Sequence, residues 1–153
     1  MANPIDREAL TAMTGQILAQ SEWTLVDQAR IDAFAEVSGD RQFLHVDPAQ
    51  AAQTEFGGTI AHGFLTLSLL SKFSEEAGLV IEGVKMGVNY GFEKVRFLAP
   101  VPSGAKVRGR FSLKEAVEKK PGQHLLTYEV TVDIEGADKP ALIADWLAMQ
   151  FTG

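Results

Sequence analysis

His62-Gly63-Phe64-Leu65-Thr66-Leu67-Ser68-Leu69-Leu70-Ser71-Lys72-Phe73, midway along this 153-residue chain, is the stretch on which the fold turns. From His62 to Ala77 apolar residues fall on nearly every side at helical spacing, which marks a helix enclosed by other elements. The run is too short, and with His62, Lys72 and Glu75 too polar at its ends, to be a membrane span of about 20 residues. Something else in the chain must therefore wrap it.

Downstream of Gly78 the period changes from helical to twofold. Leu126, Tyr128, Val130, Val132 and Ile134 alternate with Thr127, Glu129, Thr131 and Asp133, and Val107, Phe111 and Leu113 alternate with Arg108, Arg110 and Ser112. Such alternation is that of half-buried strands. Residues 84–99 read as a long strand or a bent pair, and 141–151 as a last strand buried on much of both faces. Pro121-Gly122 and Gly136 supply turns. Helices followed by a run of antiparallel strands make an α+β domain, with the apolar helix packed in the concavity of a curled sheet. Residues 1–153 read as one domain, without internal repeat or linker.

Upstream, residues 6–13 form a short lead-in helix and Ser21 to Val26 a brief strand. Asp27 caps a helix whose Ile31, Phe34 and Ala35 follow the i, i+3, i+4 pattern until Gly39 stops it. Pro48 then starts a short helix over 49–54, which Gly57-Gly58 breaks.

Composition excludes several functions. A formal charge of -6 argues against nucleic acid as main partner, since phosphate binding needs clustered Lys and Arg. The absence of cysteine removes disulfides, thiolate metal sites and thiol nucleophiles. Met1 to Asp6 has neither a basic region nor an apolar stretch resembling a secretion signal, and the chain reads as cytoplasmic.

The chemistry-bearing residues lie between the capped helix and the core helix. In Gly39-Asp40-Arg41-Gln42-Phe43-Leu44-His45-Val46-Asp47 a carboxylate and an imidazole stand five residues apart in a turn. Together they can take a proton from water and return one to carbon near neutral pH. Two readings of the pair stand at this point: a catalytic unit, or an Asp that stabilises the turn beside a surface-loop His. Gly63 opens the core helix, where unpartnered N–H groups and the positive end of the helix dipole meet a carbonyl oxygen; close packing of the helix explains a glycine there as well. His62 suits a hydrogen bond to the neighbouring loop. With His45 and Asp47 it has no recognised metal-ligand spacing. Asp47 before Pro48 reads as a helix cap. Ser71 lies two helical turns beyond Gly63, where it either faces the same pocket or is a small buried residue bonded to the preceding turn. Asn89-Tyr90-Gly91 interrupts an apolar strand, as a cavity-facing strand or a β-bulge would. No Gly-x-Ser-x-Gly elbow is present, which disfavours a serine hydrolase.

Taken together, Ser21-Glu22-Trp23, Gly39-Asp40 through Asp47-Pro48, Phe56-Gly57-Gly58-Thr59-Ile60-Ala61-His62-Gly63, Asn89-Tyr90-Gly91, Lys94-Val95-Arg96-Phe97 and Pro100-Val101-Pro102 resemble the MaoC-like dehydratases, which include the (R)-specific enoyl-CoA hydratases. The likeness spans almost the whole chain and is greatest to the branch around nodulation protein N. It implies a hot-dog fold, a long helix wrapped by a five- or six-stranded antiparallel sheet, paired with a second copy so that an acyl-CoA thioester lies along the dimer interface. It also implies that Asp40 and His45 activate water and that the Gly63 N–H binds the thioester carbonyl. The expected substrate-binding residues are Ser71, Phe43, His62, Asn89, Tyr90 and Gly91, with neither metal nor any cofactor beyond the coenzyme A of the substrate. Many relatives carry Asn-Pro where this chain has Gln42-Phe43, so Phe43 is expected to narrow the acyl pocket. Lys85, Lys94 and Arg96 are candidates for the CoA phosphates, and a solvated strand edge explains them equally well. The expected reaction is reversible hydration of trans-2-enoyl-CoA to (R)-3-hydroxyacyl-CoA. A thioesterase on the same fold and a non-catalytic acyl-CoA binding or partner subunit are the rivals.

Overall fold

The chain is described by a computed structural model covering residues 6–12 and 14–153. It opens with α1 (Arg7–Ala12), β1 (Ile17–Gln20) and β2 (Thr24–Val26), followed by α2 (Gln28–Ser38), α3 (Phe43–Val46) and α4 (Pro48–Ala51). The central helix follows as α5 (Gly63–Ser68) and α6 (Leu70–Ala77). Four long strands complete the chain: β3 (Met86–Phe97), β4 (Ala105–Lys120), β5 (Gln123–Ile134) and β6 (Leu142–Phe151). The end of the lead-in helix expected at residue 13 lies outside the described residues.

All six strands belong to one antiparallel sheet ordered β1-β4-β5-β6-β3, with β2 also pairing β4. Its inner face carries Val107, Phe111, Leu113, Leu126, Val130, Val132 and Leu142, each fully buried, and the central helix sets Leu65, Leu69, Leu70 and Phe73 against the same core. Each such side chain contributes about 1.5–3 kcal/mol by leaving water. Phe111, Tyr128 and Trp146 meet at ring distances of 6.3–6.4 Å, and burial pushes the Tyr128 phenol well above its ordinary pKa. A buried Gln150 sews the passage from α6 to β3, its Oε1 accepting from the Ile81 N–H at 2.9 Å and its Nε2 donating to the Leu79 carbonyl at 3.0 Å.

Four elements differ from the sequence expectation. Gly39 to Asp47, expected as a turn, contains the short helix α3, which carries His45. The helix expected over 62–77 is interrupted at Leu69, where the N–H is shared between the carbonyls of Leu65 and Thr66; the Ser68 hydroxyl donates to the Leu65 carbonyl at 2.6 Å, a back-bond of the kind that bends helices. The strand expected from Ser21 begins at Thr24, and a further strand at Ile17–Gln20 pairs with β4. Ser21 lies between them, its N–H donating to the Gly109 carbonyl and its hydroxyl accepting from the Gly109 N–H. The helix after Pro48 is a single turn. Residues 84–99, open between a strand and a bent pair, form one strand with irregularities between Asn89 and Gly91 and between Phe92 and Lys94.

Candidate active site

The capped helix ends where the site begins. The Asp27 carboxylate accepts from the Arg30 N–H at 2.9 Å to start α2, and the Gly39 N–H closes it on the Ala35 carbonyl. The next residue, Asp40, leaves its carboxylate half exposed, with Oδ1 accepting from the Gln42 N–H at 3.3 Å. α3 then carries His45 inward, to 8% exposure. Arg41 makes a two-point pair with Glu36 at 2.8 and 3.0 Å; that hydrogen bond and charge hold the Glu36 carboxyl below its ordinary pKa.

The tautomer of His45 follows from its partner. Nδ1 lies 2.7 Å from the Ile60 carbonyl oxygen, which can only accept, so Nδ1 carries the hydrogen and, in the neutral imidazole, Nε2 holds the lone pair. Nε2 faces Asp40 Oδ2 at 3.9 Å. That separation is too long for a direct hydrogen bond and suits two contacts of about 2.8 Å to one shared oxygen.

His62 backs the pair. Its ring stacks on His45 with centroids 3.8 Å apart and planes 23° from parallel, and Phe34 lies against it at 4.9 Å. Nε2 donates to the Asp40 main-chain carbonyl at 2.9 Å, while Nδ1 is buried without a hydrogen-bond partner among the described residues. His62 therefore holds the backbone of one member of the pair and the ring of the other. Possible ligand atoms of Asp40, His45 and His62 lie within 4.8 Å of one another. An imidazole binds a metal in its own plane, however, and two nearly parallel rings do not aim their lone pairs at one ion. The arrangement fits hydrogen bonding better than chelation.

Gly63 begins α5 in the same cavity, with its N–H in the first turn, where no carbonyl of the helix receives it. The loop before it is pinned to the β3–β4 connection: the Ala61 N–H donates to the Val101 carbonyl at 2.8 Å and the Ser103 N–H to the Thr59 carbonyl at 3.0 Å. The cavity, of about 510 Å³, brings together Asp40, His45, His62 and Gly63 against the apolar walls of Phe56, Phe64, Phe97 and Val101.

The other expected residues lie elsewhere. Ser71 and Asn89 border a second cavity of about 340 Å³ with Phe92 and Trp146, and Phe64 borders both cavities. Tyr90 is exposed and Gly91 half-buried on β3. Phe43 opens α3, half-buried, and is not among the residues that line either cavity. Phe64, Phe97 and the Ile60 carbonyl escaped the sequence reading. Phe97 sits within a motif of the resemblance, but only the folded sheet brings it over the start of α5.

Residues 9–136 match the MaoC-like domain. The chain belongs to that family. The MaoC-like chain is 51% identical to nodulation protein N of Rhizobium leguminosarum bv. viciae over 136 residues, covering 88% of this chain and 84% of the relative. It is 43% identical to 3-hydroxyacyl-thioester dehydratase Z of Mycobacterium tuberculosis, covering 89% of each. Among solved structures, an (R)-hydratase from A. caviae superposes with a TM-score of 0.72 at 27% identity, covering 87% of this chain and 95% of that one. The curled sheet around a central helix is thus the hot-dog fold, and hydratases and dehydratases are among the relatives of this MaoC-like protein.

Proposed function

We propose that this protein is a lyase that reversibly adds water to trans-2-enoyl-CoA, giving (R)-3-hydroxyacyl-CoA. The observation that carries the reading is the approach of His45 Nε2 to Asp40 Oδ2, with Nδ1 engaged by the Ile60 carbonyl, in a cavity lined also by Gly63 at the start of α5. Water held between the two side chains gives a proton to the pair as its oxygen bonds to C3. Electrons of the C2–C3 double bond move toward the thioester carbonyl, and the oxyanion is met by the Gly63 N–H. The pair then returns a proton to C2, so one water is consumed and no metal or further cofactor takes part.

Ser71, Asn89 and His62 are assigned to the walls and support of the acyl site. Tyr90 and Gly91 are assigned to a face shared with a second copy. Supporting that pairing, β3 has β6 on one side and no partner strand on the other among the described residues. Met86, Val88, Tyr90, Phe92 and Phe97 are exposed along it, with Phe64 beside them. An unpaired apolar edge of this length invites a twofold partner, and Phe64 and Phe97 also line the cavity, so the acyl-CoA would lie along a homodimer interface. No helix among the described residues is long and apolar enough to cross a membrane, and the acidic chain suits a cytoplasmic enzyme without a nucleic-acid partner.

Crotonyl-CoA incubated with the pure protein, followed at the enoyl absorbance and with a thiol reagent, tests the reading. Loss of enoyl absorbance without free thiol is expected. Thiol release would establish a thioesterase, and no change in either signal a binding protein.

A further inference from the structure

We propose that Gln28 is a positioning residue for His45, an inference that rests on the hydratase reading above. Its side-chain amide joins three segments. Nε2 donates to the His45 main-chain carbonyl at 2.7 Å and to Asp32 Oδ1 at 2.9 Å, and Oε1 accepts from the Thr59 hydroxyl at 2.5 Å. Two acceptors on one side fix which end carries the nitrogen, because the flipped amide would set oxygen against oxygen.

The placement of those contacts gives Gln28 control over the ring. Thr59 immediately precedes Ile60, whose carbonyl receives the His45 Nδ1–H, and the Ile60 N–H donates to the Leu44 carbonyl at 3.0 Å. One amide therefore holds the main chain of His45 and, one residue away, the segment carrying the acceptor of its ring. Gln28 is itself anchored as the first residue of α2, directly after the Asp27 cap. With this tie the distance between the His45 backbone and the Ile60 carbonyl is set, the Nδ1–H tautomer is held, and Nε2 stays aimed at Asp40. Without it the ring is free to turn or to move its hydrogen to Nε2, and the base is lost for that fraction of molecules.

Three variants test the inference: Gln28→Met, which keeps the length and removes the hydrogen bonds, Thr59→Val, which removes the hydroxyl, and Thr59→Ser, which keeps it. Long-range ¹⁵N–¹H spectra of the imidazoles at mildly alkaline pH read the His45 tautomer, and steady-state kinetics with crotonyl-CoA read kcat and KM separately. We expect a single Nδ1–H tautomer in the wild type and in Thr59→Ser, and a mixture in Gln28→Met and Thr59→Val. In the latter two kcat should fall about tenfold to a hundredfold, the scale of a misplaced catalytic group, with KM changed by less than about threefold. A merely structural glutamine would lower the melting temperature and leave tautomer and kcat alone; that result in folded Gln28→Met overturns the proposal. Should Gln28→Met fail to fold, the Thr59 pair decides by the same readouts. The tautomer needs no turnover: a mixture in the variants upholds the positioning role even if the wild type proves inactive, which would sink the hydratase reading alone.

Discussion

The Phe97 ring lies directly over the α-carbon of Gly63, so close that a methyl group there would come within 2.9 Å of a ring carbon. Glycine at this position thus makes room for an aromatic neighbour, and in the proposed reaction it would also admit a carbonyl. Gly63→Ala keeps the N–H but forces the Phe97 ring aside; because that ring is half exposed, the cost should fall at or below the low end of the ~1–3 kcal/mol typical of overpacking a core. The expected result is a lower urea midpoint with sharply reduced hydration of crotonyl-CoA. Adding Phe97→Ala should recover most of the stability, and some activity if the displaced ring had blocked the carbonyl. A double variant as unstable as the single would show that the backbone, and not the ring, resists the methyl group.

Phe64 borders both the cavity holding Asp40 and His45 and the second cavity bordered by Ser71, Asn89 and Trp146. Removing its ring should join the two spaces. In Phe64→Ala, kcat/KM for medium-chain enoyl-CoAs should rise relative to crotonyl-CoA, whereas Phe43→Ala should leave the profile within about twofold of wild type, because a methylene in an apolar pocket is worth roughly 1–3 kcal/mol only where the chain reaches it. A profile that moves with Phe43 and not with Phe64 would reverse the assignment.

The sheet, the central helix and the placing of Asp40 were legible because each leaves a local trace: period two in β4 and β5, apolar residues at helical spacing (Leu65, Leu69, Leu70 and Phe73) through α5 and α6, and the Asp27 cap and Gly39 stop that put Asp40 at a helix end. The central helix is nevertheless covered on one side only, with Phe64, Ser71, Glu75 and Glu76 exposed, and His45, expected in a turn, is carried by the short helix α3. The short strand at Ile17–Gln20 left none, since four residues are too few to establish a period. Nor did the break at Leu69, which depends on how the N–H at 69 is shared between two carbonyls. The relations that define the site are farther from sequence still. The His45 ring meets a carbonyl fifteen residues away, His62 meets one twenty-two away, and Gln28 reaches Thr59 across thirty-one. A main-chain carbonyl has no side-chain signature, so Ile60 is identified only in three dimensions; Gln28, after an evident cap residue, reads as an ordinary first-turn residue until its amide is seen.

The exposed edge of β3 leads to a prediction about assembly. Light scattering at micromolar concentration should give at least twice the 16.6 kDa chain mass. Val88→Lys, on the exposed edge strand, should lower that mass toward the monomer by placing an unpaired charge where the partner would pack. Crotonyl-CoA hydration should fall with it, because Phe64 and Phe97 belong both to this face and to the cavity. A wild-type protein that scatters as a monomer would remove the interface from the mechanism.

Asp40 and His45, 3.9 Å apart across a space fit for one water, should behave as a single catalytic unit. Asp40→Asn and His45→Gln should each lower kcat by about two to four powers of ten, the range of positioned acid or base groups, with little change in acyl-CoA affinity. The double variant should be scarcely worse than the worse single one, because groups that hold the same water give non-additive losses. Losses that multiply would instead mean that each side chain acts in a separate step. Structure must be controlled separately for each. The Asp40 carboxylate accepts from the Gln42 N–H, so Asp40→Asn is compared with wild type by thermal melting. His45 holds Ile60 and stacks on His62, so His45→Gln requires in addition an intact near-ultraviolet spectrum. Turnover within a few-fold of wild type in folded His45→Gln would reject water activation by this pair.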